Sequence, residues 1–401
     1  VNQVLNIDHT KPVGPLAGIT VLDLSAYIAG PYGCSLLADQ GATVIKIEPP
    51  AGDNLRKYPS TLPGESRAFL GVNRSKTGVV LDLKTAEGLE VLRTLVRSAD
   101  VLVHNFRPSV PARLGISFTD LNPINPQLIY CAVTGYGTHG PLKNKAGYDQ
   151  ILQTMTGMCS AQAKPDSAPE ILYGSIVDYY AAAMVAGAVS SALYERERSG
   201  QGQEVGVSLL RSALAMQSAR LIWAEGEPQE IDRDMRSGGI TGIHPTREGY
   251  LYVSANTPHF WQALCEKTGL QHLFCDERFD TVRKRAEQYR VIVPQLHEAL
   301  SQHSALEWEA IFGEEVPCAA ARRVDEMFDD PQCQAEELIT EFEHPTVGRY
   351  RGFTRAATFS RTPGRTPFAA PQFGADSERV LAAAGFTAEQ IAELKAKGAV
   401  L

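Results

Sequence analysis

The sequence predicts an α/β layer protein. Short apolar runs alternate with helix-forming runs through roughly the first half of the chain. The first three, Ile19 to Leu24, Pro31 to Asp39 and Thr43 to Ile47, read strand, helix, strand. Fitted into about 30 residues, that order makes a parallel crossover unit of the kind that starts a doubly wound sheet. A chain of 401 residues, 44% hydrophobic and 21% charged, has the bulk for two or three domains with ample core.

The elements follow in order. Residues 1 to 14 read as a loose arm. After the first strand comes the loop Ser25-Ala26-Tyr27-Ile28-Ala29-Gly30, and Pro31 suits the first turn of a helix, where its missing N–H costs nothing. Gly41 ends that helix. Pro49 to Gly64, rich in Pro and Gly, reads as an irregular loop. Val79 to Leu83 is expected as a strand, Glu87 to Arg97 as a helix and Asp100 to Val103 as a strand ending at His104-Asn105-Phe106-Arg107-Pro108. Arg113 and Gly115 close a short helix. Leu128 to Val133 is a further strand, ending at Thr134-Gly135-Tyr136-Gly137. A loop with Lys143, Lys145 and Gly147-Tyr148-Asp149 leads to a helix from about Gln150. The run Ala181 to Ala192 lacks Pro and is closed by charges and then by Gly200 and Gly202, so it reads as a helix with Asp178 at its amino-terminal edge. Val205 to Met216 reads strand, then helix.

Gly226 to Gly242 is polar and glycine-bearing, with Ser237-Gly238-Gly239 near its end, and reads as a linker or mobile loop. Tyr250 to Ser254 alternates as a strand does. His259 to Lys267, Ala286 to Gln302 and Leu306 to Phe312 read as amphipathic helices. The expected division is therefore a large domain over 1–224, a second, mostly helical domain over 225–325, and a return over 326–401. In the return, Gly348 to Phe353 resembles an antiparallel strand, and Thr387-x-x-Gln390 is a capping box before the terminal helix.

Composition excludes several classes. A net charge of -8 without a Lys/Arg block argues against nucleic acid. No apolar run approaches the roughly 20 residues that span a bilayer, and no basic-then-apolar leader opens the sequence, so a cytoplasmic protein is expected. The seven cysteines are scattered and never spaced C-x-x-C, which disfavours a disulfide framework or zinc ribbon. The nine histidines form no H-E-x-x-H, which disfavours a catalytic metal. Glu48 stands where a nicotinamide enzyme has its ribose acid, but only Ala29-Gly30 and Gly33 represent the glycine fingerprint. That leaves a plain crossover, or a loop whose N–H groups serve an anion or a developing oxyanion.

Asp178 has two readings. A helix start favours an ionised carboxylate, and such a group facing a pocket is a nucleophile; the alternative is an ordinary N-cap. His104, at a strand end, reads as structural or pocket-lining. Cys318, after Pro317, reads as a small core residue. Arg74, Lys76, Arg107, Arg113, Lys143 and Lys145 lie near strand ends, each a surface charge alone and together an anion site for a phosphorylated ligand. Spacing takes the reading no further than an α/β enzyme with a candidate carboxylate and a candidate anion site.

Longer stretches carry a resemblance. They are Ala29-Gly30-Pro31, Gly41 through Glu48, Asn73-Arg74-Ser75-Lys76, Asn105-Phe106-Arg107-Pro108, Thr134-Gly135-Tyr136-Gly137, Gly147-Tyr148-Asp149, Val177-Asp178 through Gln203, Val316-Pro317-Cys318 and Glu343 through Gly348. Over nearly its whole length the chain resembles the class III CoA-transferases, the CaiB/BaiF family. The resemblance implies a Rossmann-like large domain built from both chain ends, a smaller α+β domain, and an interlocked homodimer. It implies that Asp178 is the nucleophile, passing through an aspartyl anhydride and an aspartyl-CoA thioester. Ile28, Ala29, Gly30 and Tyr148 would form the active-site loop that serves the oxyanion, and Gly238 and Gly239 a glycine loop shielding intermediates. Tyr27, Lys76, Asn105, Phe106, Arg113 and Tyr136 would bind CoA, while Pro49 replaces an arginine that stacks on adenine in the formate/oxalate enzyme. Coenzyme A esters would be substrates, with no permanently bound cofactor and no metal.

Three rivals stand beside this reading: an acyl-CoA racemase of the same fold, a nicotinamide oxidoreductase, and a non-catalytic subunit. The racemase branch carries G-H-D where this chain has Gly147-Tyr148-Asp149, and a tyrosine with a pKa near roughly 10 is a poor base. The same motif and the Glu343 to Gly348 segment are most similar to succinyl-CoA:glutarate enzymes, so small dicarboxylates are expected. Arg56 or Arg67 is then placed to hold the distal carboxylate.

Overall fold

The computed structural model describes residues 13–163, 167–226 and 240–401; most of the expected amino-terminal arm lies outside them. Two compact units form, Val1–Ile222 with Gln334–Leu401, and Trp223–Cys333.

The first unit is built on six parallel strands: β1 (Thr20–Asp23), β2 (Thr43–Glu48), β3 (Lys76–Val80), β4 (Val101–His104), β5 (Ile129–Thr134) and β6 (Glu204–Ser208). Their order is β3-β2-β1-β4-β5-β6. The direction of winding reverses between β1 and β4, and in such sheets ligands bind above the strand ends at that reversal. The helices are α1 (Ala29–Asp39), α2 (Arg67–Val72), α3 (Ala86–Val96), α4 (Ser109–Leu114), α5 (Phe118–Leu121), α6 (Asp149–Met155), α7 (Met158–Gln162), α8 (Ile176–Ser199) and α9 (Leu209–Ala215).

Strand alternation sorts the core into two layers. Val21, Val44, Val101, Val103 and Cys131 pack with Leu37 of α1 and Val185 and Val189 of α8. Leu22, Ile45, Leu102 and Tyr130 face the other way, toward Leu92 and Leu95 of α3. Each buried Val or Leu contributes about 1.5–3 kcal/mol against exposure. Close approach of α1 and α8 depends on Gly33: a Cβ there would lie 2.8 Å from Val185 Cβ and 3.1 Å from the Ala182 carbonyl oxygen.

The sequence reading needs three corrections here. β3 begins at Lys76, three residues ahead of the expected Val79, because a lysine with a buried ammonium hides the start of a strand. α8 has 24 residues and is long and apolar enough to cross a bilayer by length and composition, contrary to the expectation that no such run exists. Its Val177, Ala181, Val185 and Val189 are buried against the sheet, as the core helix of a globular unit is. Ala286 to Gln302 is not one helix, as given below.

The second unit has three antiparallel strands, β7 (Gly242–Pro245), β8 (Tyr250–Val253) and β9 (Cys318–Ala320), in the order β7-β8-β9. Its helices are α10 (Pro258–Lys267), α11 (Gln271–Phe274), α12 (Val282–Glu287), α13 (Tyr289–Leu300) and α14 (Ala305–Phe312). Gln288, at φ -107° and ψ 15°, leaves helical geometry between α12 and α13. Trp261, Leu264, Ile292, Leu296, Trp308 and Phe312 form this unit's own core.

α15 (Pro331–Ala335) leads back to the first unit. The hairpin β10 (Ile339–His344) and β11 (Gly348–Phe353) follows, pairing Phe342 with Tyr350 and Glu341 with Arg351. The final helices, α16 (Ser377–Ala383) and α17 (Ala388–Ala396), bring Val380, Leu381 and Ile391 into the α3 layer. The Thr387 capping box forms with Gln390, and Val400 bridges to Leu81 beside β3.

Candidate active site

The loop after β1 is held from beneath by buried charge. Lys46, fully buried within β2, donates from Nζ to the Ser25 carbonyl at 2.5 Å and to Asp53 Oδ2 at 2.9 Å. Asp53 Oδ1 accepts the Tyr27 N–H at 3.2 Å and the Leu55 N–H at 3.0 Å. Asn105, after β4, closes the loop from the other side, accepting the Ala26 N–H at 3.0 Å and donating to the Ala26 carbonyl at 2.6 Å. These bonds keep Tyr27 at φ 66°, a left-handed conformation that costs a non-glycine residue energy. Its hydroxyl accepts from Asn54 Nδ2 at 3.0 Å, and its ring meets that of Tyr148 edge-on, 5.9 Å between centroids.

Asp23 lies under the same loop. Burial alone raises a carboxyl pKa, but the Lys46 and Lys76 ammonium groups more than offset it and bring Asp23 down to about 2. Lys76 Nζ is bound to Asp23 Oδ2 at 2.8 Å, the Pro31 carbonyl at 2.7 Å and Asn73 Oδ1 at 2.8 Å. Its expected contact with CoA is therefore corrected: the ammonium is buried and saturated, and it fixes the start of α1.

Asp178 is in the first turn of α8 and half-buried. It is not the N-cap. Ser175 holds the cap position without a side-chain bond, and Asp149 of α6 supplies the acceptor, taking the N–H of Val177 at 2.6 Å and of Asp178 at 2.9 Å on Oδ2. Gln153 Nε2 binds the other oxygen, Asp149 Oδ1. The expectation that the helix start keeps Asp178 ionised fails for this reason, since those donors serve Asp149. Burial, and then the Asp149 charge, push Asp178 up to about 7.

Asp178 opens on a cavity of about 370 Å³ at the reversal between β1 and β4. Tyr27, Ile28 and Ala29 line one side and Asn105 and Phe106 another, with Tyr148 above. α1 starts at Ala29, so the Ala29 and Gly30 N–H groups fall in a first turn that offers them no acceptor within the helix. Gly30 itself is not in the wall; a Cβ there would lie 2.4 Å from the Ser25 side chain, so only glycine fits. Gly147 is needed for a similar reason, its Cβ position being 2.7 Å from Gly135 Cα.

Other expected residues are placed differently. Tyr136 is buried, donates to the Ala146 carbonyl at 3.3 Å and lies outside this wall, as does the exposed Arg113 of α4. Gly238 and Gly239 lie outside the described residues. Arg107, Lys143 and Lys145 line the cavity with no acidic partner among the described residues, whereas Arg74 is paired with buried Asp39 at 2.5 Å. Arg56 cannot hold a substrate carboxylate: it is spent on Glu48 at 2.7 and 2.9 Å, on Glu65, and on the Pro371 carbonyl at 3.0 Å. Arg67 is exposed and donates to Thr61 at 3.2 Å. Glu48, engaged by Arg56 and by the Asp53 N–H at 2.9 Å, is unavailable to a ribose. His104 accepts the Phe106 N–H at 3.2 Å on Nδ1, and burial lowers it to about 4, so it stays neutral.

Sequence reasoning missed Lys46, Asp53 and the capping role of Asp149. A lysine between two strand isoleucines, Ile45-Lys46-Ile47, was the one available signal for the first.

Comparison with known proteins places the chain in a family. The model of CoA-transferase family III matches residues 16–377. The chain is 32% identical over 390 residues to the succinate–glutarate CoA-transferase of Agrobacterium fabrum, covering 94% of this chain and 97% of that one. It is 35% identical over 335 residues to the acetyl-CoA:oxalate CoA-transferase of Acetobacter aceti, covering 82% and 86%. The crystal structure of a CaiB/BaiF family protein from Brucella suis superposes with a TM-score of 0.83 at 28% identity, covering 93% of this chain and all of that one. The α/β chain with its parallel sheet, and with Asp178 at the reversal of winding, belongs to CoA-transferase family III.

Proposed function

We propose that the protein moves CoA from an acyl-CoA to a small carboxylic acid, with Asp178 as nucleophile. The observation that carries this is a half-buried carboxyl group facing a cavity beside the open first turn of α1, its pKa pushed up by burial and by the Asp149 charge. A carboxylate raised in this way retains high basicity. Its oxygen attacks the thioester carbonyl, the C–S bond breaks, and CoA leaves as thiolate, giving a mixed anhydride. The thiolate attacks the Asp178 carbonyl, expels the donor acid and leaves an aspartyl-CoA thioester. The acceptor carboxylate then attacks, and the steps run in reverse. The Ala29 and Gly30 N–H groups suit each oxyanion.

Small dicarboxylates are the proposed acids. The names of relatives that act between succinate and glutarate, in Agrobacterium fabrum and in mouse, support this, as do the cations Arg107, Lys143 and Lys145 in the cavity wall. We extend the proposal to a homodimer. On α8, Tyr179, Met184 and Tyr194 are 44%, 41% and 62% exposed, an apolar face suited to a second copy. Seven free thiols suit a cytoplasmic setting.

The test is to mix purified protein with succinyl-CoA and a panel of acids and follow CoA-ester masses. Asp178→Ala is expected to abolish turnover and to leave CoA binding intact. Turnover by that variant, or fast α-proton washout in deuterated water without an acceptor acid, overturns the reading.

A further inference from the structure

We propose that Asp149 is a positioning residue for the reaction, fixing the direction of Asp178 and withholding the Val177 and Asp178 N–H groups from its carboxylate. The inference rests on Asp178 being the nucleophile. Its geometric basis is separate: one oxygen of Asp149 takes two successive N–H groups, at 2.6 and 2.9 Å, and the second of them belongs to Asp178 itself. The Asp149 side chain is buried at 1% exposure, in the cavity wall with Asp178. Gln153 binds its other oxygen, and the Gln153 Oε1 accepts the Leu172 N–H at 2.9 Å, so the approach to α8 is tied to α6 at both oxygens of the carboxylate.

The chemical consequence follows from competition for donors. A carboxylate that accepts helix N–H groups is stabilised as the anion and becomes a weaker base and nucleophile. Here the Val177 and Asp178 N–H groups are already taken, and the group that takes them is a carboxylate. Asp178 is thereby kept basic enough to attack a thioester. Other ionisable groups face it without displacing this effect. Tyr179 adjoins it on α8, with Tyr32 of α1 stacked edge-on at 5.1 Å. Tyr27, Tyr58 and Tyr148 line the cavity. Arg107, Lys143 and Lys145 line it too, but none forms an ion pair with Asp178 among the described residues. α9 contributes only Leu209.

Asp149→Asn tests this, because an amide oxygen can still accept both N–H groups while the charge is lost. Two readouts are taken on the full-length protein. The first is the pH profile of kcat/KM, whose acid limb is expected to move down by about one pH unit, with kcat falling several-fold above that limb and KM for the acyl-CoA unchanged. The second is the infrared carboxyl band of Asp178, identified by its loss in Asp178→Asn, whose titration midpoint is expected to move down in step. A folded Asp149→Asn variant in which limb and band both stay put overturns the assignment. Should that variant fail to fold, Gln153→Leu frees one Asp149 oxygen and leaves the bonds to α8; a lower kcat at constant KM supports positioning, and an unchanged kcat overturns it. A band that moves in a protein with no CoA transfer supports the hold of Asp149 on Asp178 while overturning the transferase reading.

Discussion

Lys46 Nζ sits 2.9 Å from Asp53 Oδ2, and Asp53 in turn carries the backbone of Tyr27. A wholly buried ion pair thus supports the one left-handed tyrosine of the active-site loop. Desolvation makes such a pair a poor source of net stability, but removing one partner strands the other charge. Lys46→Met is therefore expected to cost about 3–5 kcal/mol, read as a lower urea midpoint. Activity should fall with it as the loop loosens. An unchanged midpoint rejects the clamp.

Asp178 has a stability signature of its own. Its pKa is about 7 in the folded chain against an ordinary 3.8. Below the lower value both folded and unfolded chains hold the proton. Between the two, the unfolded chain releases it while the folded chain keeps it, so stability falls as pH rises through that window and levels off above it. Asp178→Asn removes this loss. The variant is expected to match the parent near pH 4 and to exceed it by about 1–3 kcal/mol at pH 8, once solvent screening of a half-buried group is allowed for. Thermal melts at the two pH values decide it; an advantage that does not depend on pH refutes it.

Lys143 and Lys145 are exposed in the cavity wall and have no acidic partner among the described residues. Removing both as alanines is expected to raise KM for the acyl-CoA roughly three- to tenfold with little change in kcat, and to flatten its dependence on salt. A KM and salt slope equal to the parent's would show that these ammonium groups meet no anion.

Much of this was legible in the sequence, for a physical reason. Strand and helix periods are written in apolar side chains, so β1, α1, β2 and β5 stood out through Val21, Leu37, Val44 and Cys131. The buried polar framework was not legible, because a lysine looks the same in sequence whether it is solvated or enclosed. Lys76 accordingly reads as a ligand-binding cation and proves to be a pin for the Pro31 carbonyl. Arg56 reads as a carboxylate clamp and is one, but for Glu48. Asp178 was found through its surroundings in the chain, whereas the donor competition that sets its basicity depends on Asp149, 29 positions earlier. The β10–β11 hairpin was half-missed because Phe342 is the one apolar residue on the buried face of β10, flanked there by Thr340 and His344, while Glu341 and Glu343 take the exposed face opposite Arg351 and Arg349.

The layer formed by α3, α16 and α17 has a bearing on biosynthesis. Val380, Leu381 and Ile391 complete that layer only after the Trp223–Cys333 unit, which precedes them in the chain, has been made. Until then the nascent chain carries Leu22, Ile45 and Leu102 on an unfinished surface while ribosomes complete the intervening Trp223–Cys333 unit, which has a core of its own. That smaller unit can therefore mature first during synthesis, and the larger one, though begun earlier, keeps an open apolar layer until residues 377–396 have been made.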